Sequence, residues 1–433
     1  MNNRETYQYQ LLEKLSFNRF GGTEDELKAA KLLLGEIESF GGKGEIMDFT
    51  IPAYTIEKAA ITVTAPFTRS IECVAQGHSG QFPEGGVELE LRYVEANSPA
   101  GFHGQEDLTG CAVLVNNPLD WDLYKALFDR HAGAVIVINA DKWYQDDSTT
   151  DLISRAMRET FLAVGAIPVF TIRSKDANEM LRDGAKTVRV ELRQKSFDTT
   201  SRDVLAVVEG TESRPGEDIV LTAHYDSVTV GTGSWDNGSG AVTLMYLYEH
   251  FLNHPAKRTL RFVWCGSEEQ GLYGSKAYVE KNPEIVKNIR FCFNFDMNGT
   301  ILGSNNLFIT GGDDLKAIAE AIANEAGYPV GMTRVGVHSS DSAPFAEQGI
   351  PSVGLSRGTK AGEIHTRYDL MPLMSAEKLH YNAQFAIFFI ERFANAAVFP
   401  VKRELPESIV KEVEKYFKKD KLSQLAKERG EQQ

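Results

Sequence analysis

Ile219-Val220-Leu221-Thr222-Ala223-His224-Tyr225-Asp226-Ser227, followed by Gly231-Thr232-Gly233-Ser234-Trp235-Asp236-Asn237-Gly238-Ser239-Gly240, decides how this chain is read. An unbroken apolar run ends on a His-x-Asp step, and a glycine-rich loop leads into residues 242–251, apolar at helical spacing. A strand with no polar alternation signals a sheet covered on both faces. The pattern recurs downstream. Apolar strands at 260–264, 291–295 and 352–355 alternate with helical stretches at 271–281, 314–325 and 376–395. This predicts an α/β fold, with a mostly parallel or mixed central sheet covered by helices on both faces. Such sheets bind ligands outside the carboxyl ends of their strands, which is where His224, Glu268, Glu269 and Asp296 fall.

Five metal-binding side chains stand in order: His224, Asp236, Glu269, Asp296 and His365. Two histidines and three carboxylates are the complement that holds two divalent cations, with one carboxylate shared. Asp236 suits the shared position, because its glycine-rich loop can bring a carboxylate over the strand ends. Glu268 is then free to move a proton. Asp226, on the same strand face as His224, is placed to orient that imidazole. Together Asp226, Asp236, Glu268, Glu269 and Asp296 would crowd five carboxylates into one pocket, and without cations several would have to protonate. Three ligating carboxylates against two dications leave a formal surplus of one positive charge. Taken singly, each residue has a plainer explanation, as a local hydrogen-bond pair, a helix-dipole partner, a turn residue or a surface histidine. The whole set at one sheet edge carries the metal reading.

The rest of the chain sets bounds. Its 433 residues exceed one ordinary core, so two domains or a large insertion are expected. A net charge of -14 argues against a nucleic-acid partner. The N-terminus has no apolar run of the length a secretory signal or a membrane span needs, so a cytoplasmic location away from the membrane is the expectation. Cys73, Cys111, Cys265 and Cys292 lack metal or disulfide spacing and are expected as buried thiols. Residues 1–52 begin with two helical stretches, the second opened by a capping box of Thr23 and Glu26. Residues 53–198 read as a β-rich insertion that includes an acidic loop at 141–151. Residues 1–52 plus 199–400 would form the catalytic domain. Residues 401–433 form a charged helical tail, with Ile409, Val410, Val413 and Phe417 as a narrow apolar stripe for docking on its own domain. The insertion and this tail are the surfaces on offer for an oligomer.

At this level of detail the sequence resembles a known family, the co-catalytic zinc aminopeptidases of the M28 type. The matching residues are Ala223-His224-Tyr225-Asp226-Ser227, Asp236-Asn237-Gly238-Ser239-Gly240, Glu268-Glu269-Gln270-Gly271-Leu272-Tyr273-Gly274-Ser275, Asn294-Phe295-Asp296, and His365-Thr366 with Asp369 following. The resemblance implies two zinc ions, one held by His224 and Asp296, the other by Glu269 and His365, with Asp236 bridging. It implies Glu268 as general base and acid, acting on a water shared by the metals, and Asp226 as the partner of His224. It also implies a cis Asp236-Asn237 bond. The insertion resembles a protease-associated domain. One departure stands out: many relatives have Ser-Asp-His before Pro-Phe, whereas this chain has Ser340-Asp341-Ser342, with His338 nearby. That puts the substrate end of the pocket in question.

The leading reading is a two-zinc exopeptidase acting on peptides, with an aminopeptidase ahead of its rivals. A carboxypeptidase or dipeptidase would need a cationic clamp, for which Arg334, Arg357 and Lys360 are candidates. A glutaminyl cyclase would need one zinc only. A non-catalytic binding protein on the same scaffold would normally have lost ligands, and none is missing here.

Overall fold

The computed structural model describes residues 3–95, 98, 100–116, 119–139, 151–358 and 364–429. Lys360, and the acidic loop except for Asp151, lie outside the described residues. The chain forms two compact units, Met1–Ile51 with Thr200–Asp420, and Pro52–Thr199 with Lys421–Gln433. The unit boundaries at Pro52 and Thr199 fall inside two 22-residue strands, Gly44–Ala65 and Thr187–Val208.

In the first unit the strand order is Val330–Val335, Ser304–Thr310, Ser352–Gly358, Ile289–Phe295, Asp218–His224, Leu260–Cys265 and the end of Thr187–Val208. The four strands Ser352–Gly358, Ile289–Phe295, Asp218–His224 and Leu260–Cys265 are mutually parallel neighbours. The strand at 204–208 and that at 304–310 pair antiparallel with the outer members of this group. Period two still operates inside the apolar runs. Ile219, Leu221 and Ala223 enter one hydrophobic core and Val220 the other, as Phe291, Phe293 and Phe295 do against Cys292. Both sides are apolar because helices cover both faces. Helices Asn3–Leu15, Glu24–Ser39, Ser239–Asn253 and Ala376–Ala394 lend Leu12, Leu33, Leu244 and Phe389 to the larger core. Tyr278 and Phe345, from Tyr273–Lys281 and Ser342–Glu347, close the other.

The parallel arrangement matters because all four central strands end at one edge. The chain leaves them as His224, as Gly266 ahead of Glu268, as Asp296, and as the segment that returns at His365. Crossover connections thereby bring residues more than a hundred positions apart to the same place.

The second unit contains more than β-structure. Val87–Val94, Cys111–Val115, Ala134–Asn139 and Val169–Arg173 are parallel neighbours; helix Trp121–Asp129 stands between the second and third of them in the chain, and Ser174–Arg182 follows the last. The strand Cys73–Ala75 closes one edge antiparallel to Val169–Arg173. The charged tail, expected as one helix, is two: Glu407–Tyr416 and Lys419–Glu428. Lys418 between them has φ of 56°, which ends a helix. Ile409 and Val413 pack on Ala346 in the first unit, while Leu425 belongs to the core of the second. All four cysteines are free thiols, three buried and Cys73 half-buried.

Candidate metal centre

His224, the last residue of its strand, is buried, and its Nε2 lies 3.2 Å from Asp236 Oδ1, 3.6 Å from Asp296 Oδ1 and 3.9 Å from Glu268 Oε2. On the other side, His365 Nε2 lies 3.0 Å from Asp236 Oδ2 and 2.9 Å from Glu269 Oε2. Two ligand groups result, His224–Asp236–Asp296 and Asp236–Glu269–His365, each with its donor atoms within 4.8 Å of one another. Asp236 is common to both and turns one carboxylate oxygen to each histidine. The structure thus brings all five expected ligands together, with Glu268 beside them. Asp226 lies behind His224, its Oδ1 3.3 Å from Nδ1. The same carboxylate accepts the backbone N–H of Glu268 at 3.0 Å and of Glu269 at 3.2 Å. One side chain therefore orients an imidazole and ties down the turn that carries the two glutamates.

The charge balance tests whether these residues fit divalent cations. Burial raises Glu268 well above the usual carboxylate range, and Asp341, Glu269 and Asp296 add to the rise while a charged His224 opposes it. Burial and the Asp236 charge hold Glu269 near 7. Burial alone would lower His365, but its bonds to Asp236 and Glu269 outweigh that and hold it near 10. Glu269 Oε1 and Asp296 Oδ1 are buried with no hydrogen-bond partner. Left to itself this set must retain protons on groups that would give them up in water. Two dications would replace those protons and satisfy the orphaned oxygens, so the donor set fits them.

The backbone around the ligands is unusual at the points the sequence marked. Asp236-Asn237 is a cis peptide. Asn237 then fastens the loop to the neighbouring strand end: its Nδ2 donates to Phe295 O at 2.8 Å, and its Oδ1 accepts from Gly240 N and Met297 N. Ser267, Met297 and His365 have φ of 54°, 59° and 56°. Each is a ligand or sits beside Glu268 or a ligand, and non-glycine residues in this region cluster at functional sites.

Several supporting residues carried no role in the sequence reading. Arg19, fully buried, donates to the carbonyls of Leu15, Phe17, Tyr225, Thr232 and Gly233. Asp369 accepts the N–H groups of Trp235 at 2.7 Å and Asp236 at 2.9 Å. The capping box is half formed. Thr23 accepts from Glu26 N–H, but the buried Glu26 carboxylate accepts from Gly22 N–H and the Ser201 hydroxyl, and Ser267 hydrogen-bonds to Ser201. A helix-start motif thus buttresses the turn before Glu268. Its only sequence signal was that motif, which says nothing about residue 201.

The pocket departure also resolves into geometry. Ser342 Oγ pairs with Ser340 Oγ at 3.0 Å, and the His338 ring lies against Phe308 with centroids 4.5 Å apart. Arg357 is buried, donating to Thr300 O at 2.8 Å, Asn305 Oδ1 at 3.1 Å and Ile301 O at 3.3 Å. It holds the loop beyond Asp296. Arg334 lies on an exposed strand.

Peptidase family M28 matches the chain over residues 203–390, the segment that holds every one of these ligands. Residues 203–390 are an M28 peptidase domain. The family pattern begins beyond the insertion and leaves its likeness to a protease-associated domain unaddressed. Aminopeptidase YwaD of Bacillus subtilis is 27% identical over 378 residues, spanning 83% of this chain and 78% of that protein. A probable lipoprotein aminopeptidase, LpqL of Mycobacterium tuberculosis, is 27% identical over 372 residues, covering 78% and 69% of the two chains. A solved zinc aminopeptidase from Bacillus subtilis shares the fold, with a TM-score of 0.73 at 23% identity over 94% of this chain and 98% of its own. The chain is a metal-dependent peptidase. No helix among its described residues is long and apolar enough to cross a membrane.

Proposed function

We propose that the M28 chain is a two-zinc aminopeptidase that removes N-terminal residues from peptides. The observation that carries this is the pair of ligand groups sharing Asp236, with Glu268 placed beside but outside them. His224 and Asp296 would hold one ion, Glu269 and His365 the other, and Asp236 would serve both. Bound, the ions supply Lewis acidity that acidifies a water and polarises the scissile carbonyl. The protein's own part follows from position. Glu268, in a buried and acid-rich setting, takes the proton from the attacking water and returns it to the departing amine. Asp226 keeps the His224 ring in register and fixes the backbone of Glu268. Asn237, Ser267 and the positive-φ residues hold the loops so that these groups need not reorganise. The catalytic assignment goes to residues 1–52 plus 199–400. The cis bond stands where the M28 resemblance led us to expect it.

The carboxypeptidase reading is weakened at one of its candidate clamps, because Arg357 is buried and donates to the loop at 300–305. The named relatives are aminopeptidases, which supports attack at the amino end. The test is a release assay on free-amine and N-blocked peptides, with chelator and with zinc restored. Chelator-sensitive cleavage of free-amine substrates alone is expected. Release from the carboxyl end of N-blocked peptides would transfer the assignment to a carboxypeptidase.

A further inference from the structure

The loop that presents Asp236 is held at several polar backbone groups, three of them by one residue that is not a ligand. The Asp369 carboxylate is buried and accepts Trp235 N–H at 2.7 Å on one oxygen and Asp236 N–H at 2.9 Å on the other. Its carbonyl accepts Thr232 N–H at 3.1 Å and the Thr232 hydroxyl at 3.2 Å. Its own N–H donates to Thr366 O at 3.2 Å, one residue past His365. On the far side of the loop, Arg19 takes the carbonyls of Thr232 and Gly233. Gly231 fits between the two loops because it has no side chain: a Cβ there would lie 2.6 Å from Thr366 O and 3.3 Å from Asp369 O. Its φ of 70° asks for glycine as well.

We infer that Asp369 is a positioning residue that sets the distance between the shared ligand Asp236 and the terminal ligand His365. The inference rests on the two-metal reading. Two N–H groups converging on a buried carboxylate make charge-assisted bonds, so Asp369 fixes the path of the backbone through Trp235 and Asp236. The segment that begins with His365 also carries Asp369. The Asp236–His365 contact of 3.0 Å is therefore built on one rigid bracket between two loops that lie 129 positions apart, by subtraction of 236 from 365. Because Asp236 serves both ligand groups, a displaced Asp236 weakens both ions, whereas loss of a terminal ligand weakens one.

The experiment is a zinc titration of metal-free protein against a competing chelator, alongside the melting temperature of the metal-free form. Asp369→Asn is nearly isosteric, but its amide presents a donor to one of the two N–H groups. Both zinc ions are expected to bind roughly 10–100-fold more weakly, the usual effect of removing a partner of a ligand. The metal-free melting temperature should stay close to wild type. Asp369→Glu keeps the charge and moves the carboxylate, and it carries the same expectation if the asparagine variant does not fold. Thr232→Val removes the hydroxyl contacts to the Asp369 carbonyl and to Ser234 Oγ but leaves both N–H bonds to the Asp369 carboxylate, and should leave zinc affinity within about threefold of wild type, since neutral hydrogen bonds contribute little. Both ions binding either folded Asp369 variant as tightly as wild type would overturn the inference, most plainly if the metal-free form melted lower. Wild-type protein that took up no zinc would overturn the two-metal reading and this inference with it.

Discussion

The two halves of the candidate metal centre are built differently. His224 ends a central strand, is 2% exposed and has Asp226 behind it, and its partner Asp296 directly follows a second central strand. His365 sits in a loop with a positive φ, its side chain is 29% exposed, and its partner Glu269 lies in a turn before a helix. One half inherits its precision from the parallel sheet. The other depends on brackets such as Asp369 and on the buttress from Glu26 through Ser201 to Ser267. The first half should therefore be hard to deform and the second hard to specify but easier to load and unload.

Four outcomes would sharpen or break that contrast. The largest concerns the residue common to both halves: Asp236→Ala should abolish peptidase activity and reduce bound zinc to at most one ion, read by elemental analysis. Next, the histidines should part company. His224→Ala leaves a cavity and takes the imidazole from the buried Asp226, and should destabilise the protein by about 2–4 kcal/mol in denaturant unfolding. His365→Ala should lose one ion with melting nearly unchanged, and equal destabilisation by both would break the contrast. Third, chelator should remove the ion at Glu269 and His365 first, so zinc release should be biphasic. Release of both ions in a single phase would count against two unequal halves.

The smallest effect is in protons. In metal-free protein His365 holds its proton to about 10, so zinc must displace it at any pH between 6 and 8. Glu269, near 7, is mostly protonated at pH 6 and mostly ionised at pH 8. Loading this half should release up to about one proton more at pH 6 than at pH 8, so zinc binding should weaken as pH falls. Calorimetric titrations in buffers of different ionisation enthalpy measure this directly. Equal release at both values would contradict the assignment of Glu269.

The contrast also explains what could be read from the sequence. Strand-borne elements were legible: the apolar runs before His224, Cys265 and Asp296 locate the sheet edge, and period two within them survives as the division of Phe291 and Phe293 from Cys292. Glu268, Glu269 and His365 could be named from their residue types and order, but not their separations, which depend on loop paths. The role of Arg19, and that of Glu26 beyond its helix start, were invisible because their partners lie at 225–233 and at 201, contacts that no local pattern encodes. Arg357 stayed a mere candidate for a clamp for the same reason: an arginine near a strand end looks available until the carbonyls of Thr300 and Ile301 are seen to accept from it. The tail followed local pattern up to Phe417 and then departed from it, because the stripe gave no sign of the turn at Lys418.

The most direct test of the two-metal mechanism is the turnover and zinc content of Glu268→Gln, measured on one preparation. Glutamine fills the same space but cannot take up the water proton, and Glu268 stands outside both ligand groups. The account predicts two zinc ions per chain, as in wild type, with kcat reduced by about 10²–10⁴-fold or more. Full turnover with both ions bound would contradict the assignment of Glu268 as the base. A variant that lost zinc would instead make Glu268 a ligand.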